Sequence, residues 1–318
     1  MTSQAQPRKL DEGYRALIEA AKAAGMPQIG SVTAAEMRSY HESMLAKLPP
    51  GPAVESVEDC MIPVPEGGVA ARIYRPAGLP RALIVYFHGG GWTIGSLDGW
   101  DAALRRLALA SQCAVVSVDY RLAPEHRFPA AVDDAVAATH WALAGVESIA
   151  HAAVPVVVAG DSAGGNLSAV VARILCEEGT HGLAAQILIY PSTDGNIDSD
   201  YMRQFESPFL TRDEIAWFFD QYVPDRDQRA DPRFAPLHGP RVDGLPPALV
   251  LTAECDLLCD EGEAYAARLQ SEGVTVRVRR FEGGIHGFFT MDRGLLPHSG
   301  QAMEDIANFL KDVLVHRG

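Results

Sequence analysis

One serine in this chain stands where a nucleophile would be made. Ser162 is the centre of Gly160-Asp161-Ser162-Ala163-Gly164. The apolar run Pro155–Ala159 precedes it, and Leu167, Val170, Val171, Ile174 and Leu175 follow at helical spacing. A serine on a sharp strand-to-helix turn occupies strained backbone, and glycines two residues to either side remove side chains that would collide there. Such a turn lifts the hydroxyl off the end of a sheet and sets the next N–H beside it. In a chain with 29 glycines a bare Gly-x-Ser-x-Gly arises by chance. The strand before and the helix after give this match its weight.

A second glycine loop lies upstream, where the apolar run Ala82–Phe87 ends in His88-Gly89-Gly90-Gly91-Trp92. Consecutive glycines let backbone N–H groups turn toward a ligand, as donors to a developing oxyanion must. The N–H groups of Gly90, Gly91 and Ala163 are the candidate donors. A phosphate-binding loop fails on spacing: Gly-x-Gly-x-x-Gly would need glycine where Ile94 stands, and no Gly-Lys-Ser/Thr follows nearby.

An acid and a base should follow the serine in that order. The strand Ala248–Ala253 carries Glu254, Asp256 and Asp260 at its C-terminal end. Asp260-Glu261-Gly262-Glu263 resembles a capping box, so Asp260 is expected to open the helix through Leu269. Glu254 is expected to be consumed locally, which leaves Asp256 as the acid. Among ten histidines, His286 stands apart in the glycine-rich Gly283–Phe289, after the alternating strand Val276–Phe281. From there it can swing toward the serine. His298 and His316 belong to or flank the terminal helix, and His88 is expected to brace the glycine loop.

These segments resemble the hormone-sensitive-lipase-like family (family IV) of bacterial carboxylesterases, which have the α/β-hydrolase fold. The likeness rests on His88–Trp92, on Gly160–Asn166, on Asp119–Ala131 and on His286-Gly287-Phe288. It departs at the acid, where the family's Asp-Pro-Leu-x-Asp-Glu becomes Asp256-Leu257-Leu258-Cys259-Asp260-Glu261. Asp256 keeps the matching position without the proline. The resemblance implies hydrolysis of short-chain acyl esters by Ser162, His286 and Asp256, with Trp92 lining the acyl pocket and neither cofactor nor metal. Two other readings stay in view. Plant hormone receptors share the fold but lose the histidine, and His286 argues against that class. Amide or lactone cleavage could use the same triad.

The elements that must position these groups alternate along the chain. A hairpin over Cys60–Val64 and Ala70–Tyr74 turns at Glu66-Gly67-Gly68. Strands at 82–87, 114–119, 155–159, 185–190, 247–253 and 275–281 then alternate with helices at 99–111, 130–144, 163–177, 260–272 and 299–315. Alternation of this kind means an α/β fold: a mostly parallel central sheet with helices on both faces. Two pieces stand outside it. Residues 1–54 hold a helix near 11–24 and another opened by Thr33-Ala34-Ala35-Glu36, with Met37, Tyr40, Met44 and Leu45 on one stripe. Residues 194–226 hold a helix capped by Thr211–Glu214 and bearing Ile215, Trp217, Phe218, Phe219, Tyr222 and Val223, apolar over most of its circumference. Both are expected to form a helical cap over a catalytic core made of 55–193 and 227–318.

Composition narrows the partners. A net charge of −14 disfavours nucleic acid and anionic membranes. Residues 1–9 lack the apolar region of a signal peptide, and five cysteines suggest free buried thiols in a cytoplasmic protein rather than a disulfide framework. A small-molecule ester is the expected partner, with a homo-oligomer left open.

Overall fold

The apolar runs become strands whose side chains leave the sheet alternately to either face. The computed structural model describes residues 8–45, 50–64, 67–291 and 296–315; the hairpin residue Glu66, the side chain of Leu45 and His316 lie outside them. In chain order the elements are α1 (Glu12–Ala23), α2 (Ala34–Leu45), β1 (Ser56–Val64), β2 (Gly67–Arg75), β3 (Leu83–Phe87) and α3 (Leu97–Ser111). Next come β4 (Ala114–Val118), α4 (Ala130–Ala150), β5 (Val156–Asp161), α5 (Ala163–Glu177), β6 (Leu183–Ile189), α6 (Asp200–Gln204) and α7 (Arg212–Tyr222). The chain closes with β7 (Ala248–Cys255), α8 (Cys259–Ser271), β8 (Val276–Ile285) and α9 (Pro297–Val315).

The sheet runs β1-β2-β4-β3-β5-β6-β7-β8. The pairs β1–β2 and β2–β4 are antiparallel, and all other pairs are parallel. Along β3, Leu83, Val85 and Phe87 enter the core layer with Val132 and Ala135 of α4 and Leu167 and Val171 of α5. Ile84 and Tyr86 enter the opposite layer with Leu104 and Leu107 of α3 and Ile306 and Phe309 of α9. This two-residue period is what a strand buried on both faces requires. Both capping boxes read in the outlying helices form. Thr33 and Glu36 bond reciprocally at the start of α2, as do Thr211 and Glu214 at the start of α7.

Three expectations are corrected. Asp260 is not a cap: α8 starts at Cys259, its N-cap position is Leu258 without a side-chain bond, and Asp260 pairs with Arg8 at 2.6 Å. The reason lies one turn earlier, where Asp256 Oδ1 already accepts the Leu258 N–H at 3.0 Å. Helix α4 continues past 144 to Ala150 by bending at Gly145, whose φ/ψ are −112° and 15°. Of the five cysteines, all free, Cys60 and Cys176 are only half-buried. The N-terminal helix also does more than was expected of it. Tyr14 of α1 is fully buried in the α3/α9 layer, where its hydroxyl lies within hydrogen-bond distance of His298 Nδ1, at 3.1 Å.

Glu261, one turn into α8, is a buried carboxyl. Its Oε1 accepts the N–H groups of Thr193 (2.6 Å) and Asp194 (3.3 Å), which ties α8 to the chain leaving β6. Burial pushes its pKa up to about 8, outweighing these bonds. The native carboxyl therefore keeps a proton that the unfolded chain releases near ~4.3, and stability falls as pH rises across that interval. Glu261→Gln, neutral at every pH, should gain stability over the wild type as pH is raised from about 5 to about 9 in urea unfolding. A difference between the two proteins that stays constant with pH would mean that the native carboxyl is charged throughout.

Candidate active site

Ser162 sits between the end of β5 and the first turn of α5 with φ 55° and ψ −117°, a conformation an L-residue holds only when its surroundings impose it. Its N–H donates to Ile189 O of β6 at 2.8 Å, and its own carbonyl accepts from Asn166 N at 3.0 Å. The space is as tight as the motif implied. A Cβ on Gly164 would fall 1.8 Å from Phe87 O, at the end of β3. One on Gly160 would fall 2.3 Å from the carbonyl carbon of Gly164.

His286 and Asp256 arrive from the ends of β8 and β7. His286 Nε2 is 2.9 Å from Ser162 Oγ, and Nδ1 is 2.7 Å from Asp256 Oδ2. Asp256 is fully buried. Glu254 is consumed locally, as expected, by accepting Gly283 N–H at 2.8 Å. The structure thus brings together the three residues chosen from the sequence and keeps both rival carboxylates out of the relay. Tyr190 packs against the His286 ring, with centroids 4.7 Å apart.

The glycine loop after β3 adopts left-handed backbone at Gly90 (φ 103°) and Gly91 (φ 58°). A Cβ there would meet Ile94 O at 2.1 Å or the Phe218 ring of α7 at 2.2 Å. Ala163 N begins α5, where the helix dipole favours negative charge. His88 braces the loop: it is fully buried, its Nδ1 lies 2.7 Å from Gly89 O, and its ring stacks on Tyr120. Burial lowers its pKa to about 4, so it is neutral.

Sequence reasoning passed over Asp161. Its Oδ1 accepts from Tyr86 OH (2.8 Å), Trp100 Nε1 (2.8 Å) and Gly89 N (3.0 Å), which locks the glycine loop to the serine turn. Burial raises it to about 6 against the lowering effect of those donors. The signal was present, a carboxylate ending an otherwise apolar strand. Arg38 of α2 was missed too; it donates to Thr93 O at 2.8 Å and Ala123 O at 2.5 Å. An arginine on an exposed helix face gives no such hint.

Ser162 and His286 open onto a cavity of about 510 Å³. Its walls come from Ile18 of α1, Met37 and His41 of α2, the glycine loop, Phe209 and Leu210, and Ile215, Phe218 and Phe219 of α7. Burial lowers the pKa of His41. Trp92 borders the cavity, but its ring is buried and stacked on Tyr222 at 4.9 Å, so it supports the wall more than it faces a ligand. Among the described residues no group of three or more His, Cys, Asp or Glu side chains could hold a metal ion, and no helix is long and apolar enough to cross a membrane.

A profile of the α/β hydrolase fold matches residues 84–290. The carboxylic ester hydrolase LipN of Mycobacterium tuberculosis is 44% identical over 267 residues, covering 81% of this chain and 69% of that protein. The ethyl acetate hydrolase of Pseudomonas putida is 35% identical over 289 residues, covering 87% and 90%. A gibberellin receptor of Oryza sativa subsp. japonica is 35% identical over 245 residues, covering 74% and 68%. Among solved structures, a hyperthermophilic esterase of the archaeon Pyrobaculum calidifontis superposes with a TM-score of 0.89 at 37% identity, covering 96% and 99%. Fold and sequence define an α/β hydrolase. More particularly, the chain belongs to the hormone-sensitive-lipase-like carboxylesterase family that its motifs resemble.

The contact of Gly164 with Phe87 O leaves no room for a methyl group. Gly164→Ala should lower stability by about 3 kcal/mol or prevent soluble expression. A variant whose thermal midpoint stays within a degree or two of wild type would show that this turn can open.

Proposed function

We propose that the protein is a serine carboxylic-ester hydrolase acting on short-chain acyl esters through an acyl-enzyme. The observation that carries this reading is the continuous relay Ser162 Oγ···His286 Nε2, His286 Nδ1···Asp256 Oδ2. His286 takes the serine proton as Oγ attacks the acyl carbon, then delivers it to the leaving alcohol. Asp256 orients the ring and stabilises the imidazolium. The N–H groups of Gly90, Gly91 and Ala163 hold the tetrahedral oxyanion. Water, deprotonated by His286, attacks the acyl-enzyme, and collapse of the second tetrahedral adduct returns the proton to Ser162 and releases the acid. The chemistry uses no metal or organic cofactor.

The cavity walls support the cap assignment, with residues 1–54 and 194–226 closing over the core. Trp217 of α7 lies against the N-terminal segment, where a Cβ on Gly30 would sit 3.3 Å from its ring. The similarity to a hormone receptor does not outweigh a complete relay, since a receptor needs no base beside the serine. Free cysteines suit a reducing compartment, and we place the enzyme in the cytoplasm.

Ser162→Ala should lower kcat by roughly 10⁴–10⁶-fold on p-nitrophenyl esters with the fold intact. A serine-directed phosphonate should label the wild type once, at Ser162. Asp256→Asn should cost about 10⁴-fold in kcat, and Asp260→Asn only a few-fold. Labelling elsewhere, or the reverse order of the two aspartates, would contradict the assignment.

Phe218 borders the cavity and covers Gly91, so it limits the acyl chain. Phe218→Ala should improve kcat/KM for octanoate relative to acetate by about 10-fold. An unchanged ratio across the p-nitrophenyl ester series would place the acyl chain elsewhere. This substitution isolates the cap's effect better than removing residues 1–48, which would also strip buried Tyr14 from the core.

A further inference from the structure

The loops carrying Asp256 and His286 meet a strap of chain from the N-terminus. Arg8 inserts a guanidinium there whose side chain is 17% exposed. Its Nη1 donates to Glu254 O at 2.5 Å and to the hydroxyl of Tyr201, while Nη2 donates to Asp260 Oδ1 at 2.6 Å. The plane rests over the rings of Tyr201 and Phe205, 4.7 and 5.0 Å from their centroids. Tyr201 of α6 passes the contact on: its hydroxyl donates to the backbone carbonyl of Asp256 at 2.8 Å. Three residues along the strap, Asp11 N–H donates to Gly283 O at 3.1 Å. Gly283 N–H in turn reaches the Glu254 side chain. Neither Arg8 nor Tyr201 borders the substrate cavity.

We propose that Arg8 is a positioning residue: acting through Tyr201, it holds the Asp256 loop in register with the His286 loop. The inference rests on the reading of Ser162, His286 and Asp256 as a triad. Two features separate it from ordinary surface pairing. A half-exposed ion pair with Asp260 contributes little by itself. Here one planar fork satisfies acceptors on three separate stretches of chain, a geometry suited to guanidinium and poorly matched by a point charge. The strap also binds the residues before both the acid and the base, so its loss frees the two loops to move relative to each other. A relay displaced by a fraction of an ångström loses rate while the cavity, and hence substrate binding, is unchanged.

The test compares Arg8→Ala, Tyr201→Phe and the double variant with wild type on p-nitrophenyl butyrate, with Ser162→Ala alongside and thermal midpoints recorded. Each single variant should lower kcat by about 10-fold with KM within about twofold. The double variant should be no slower than the slower single one, because both remove one connection. The acid limb of kcat/KM should move to lower pH, as a displaced Asp256 stabilises the imidazolium less. Multiplicative losses, a raised KM at constant kcat, or wild-type kcat with an unmoved acid limb would overturn the proposal. If Arg8→Ala does not fold, Tyr201→Phe decides alone, since it removes one oxygen atom. A wild type no faster than Ser162→Ala overturns the triad reading and the clamp with it. An active wild type matched by its Arg8 and Tyr201 variants overturns only the clamp.

Discussion

Everything at the site depends on how closely two backbones approach. The turn after β5 lies against the end of β3 so tightly that Gly164 faces Phe87 O with no room for a side chain. That contact fixes the strained backbone of Ser162. It also sets the start of the glycine loop, which leaves β3 at His88, relative to the first turn of α5. Ser162 and the N–H groups of Gly90, Gly91 and Ala163 are thus parts of one rigid junction. Strain of this kind survives only where surrounding bonds overdetermine it. The Ser162 N–H bond to β6, the Asn166 side chain donating to Ser192 O and Phe234 O, and the Asp161 brace do so here.

Two buried carboxyls show what that rigidity requires. Asp161 accepts the Gly89 N–H and two side-chain donors, Glu261 accepts the N–H groups of Thr193 and Asp194, and burial raises both pKa values. Burying a polar group is tolerable when it is hydrogen-bonded, and a network in which each member is satisfied specifies one arrangement of loops. Asp161 joins the glycine loop to the serine turn, and Glu261 joins α8 to the chain after β6. The three cysteines buried nearby or deeper are correspondingly inert: burial raises Cys113 and Cys255 to about 11 and Cys259 to about 12.

The sequence made the core legible because buried parallel strands must be apolar runs and their covering helices must repeat at helical spacing. Ser162, His286 and Asp256 were legible because each ends such a strand or follows it in a glycine-rich turn. Asp260 misled because a capping box is read from residue types alone, while the real first turn of α8 was already organised by Asp256 two residues ahead of Leu258. Arg8, Arg38 and Tyr201 left no trace for a different reason. Their partners lie 193 positions away for Arg8 and Tyr201, and 55 for Tyr201 and Asp256 or Arg38 and Thr93. No local period encodes such a contact.

The division of labour follows from this. Glycine backbone packed at the ends of β3 and β5 holds Ser162 and the N–H groups of Gly90, Gly91 and Ala163, where side chains would only intrude. Asp256 and His286 ride on loops beyond β7 and β8, which the sheet cannot hold in register by ladder bonds alone. The β7–β8 pairing is already irregular between Ala253 and Cys255. Groups from outside the alternating core add contacts: the Arg8 and Tyr201 side chains at Glu254 and Asp256, the Asp11 backbone N–H at Gly283, and the Arg38 side chain at Thr93. The N-terminal helices α1 and α2, together with α7, wall the cavity. Asp11 caps α1 and Arg38 lies on α2, so two of the helices that wall the cavity also touch the loops around His286 and Gly91.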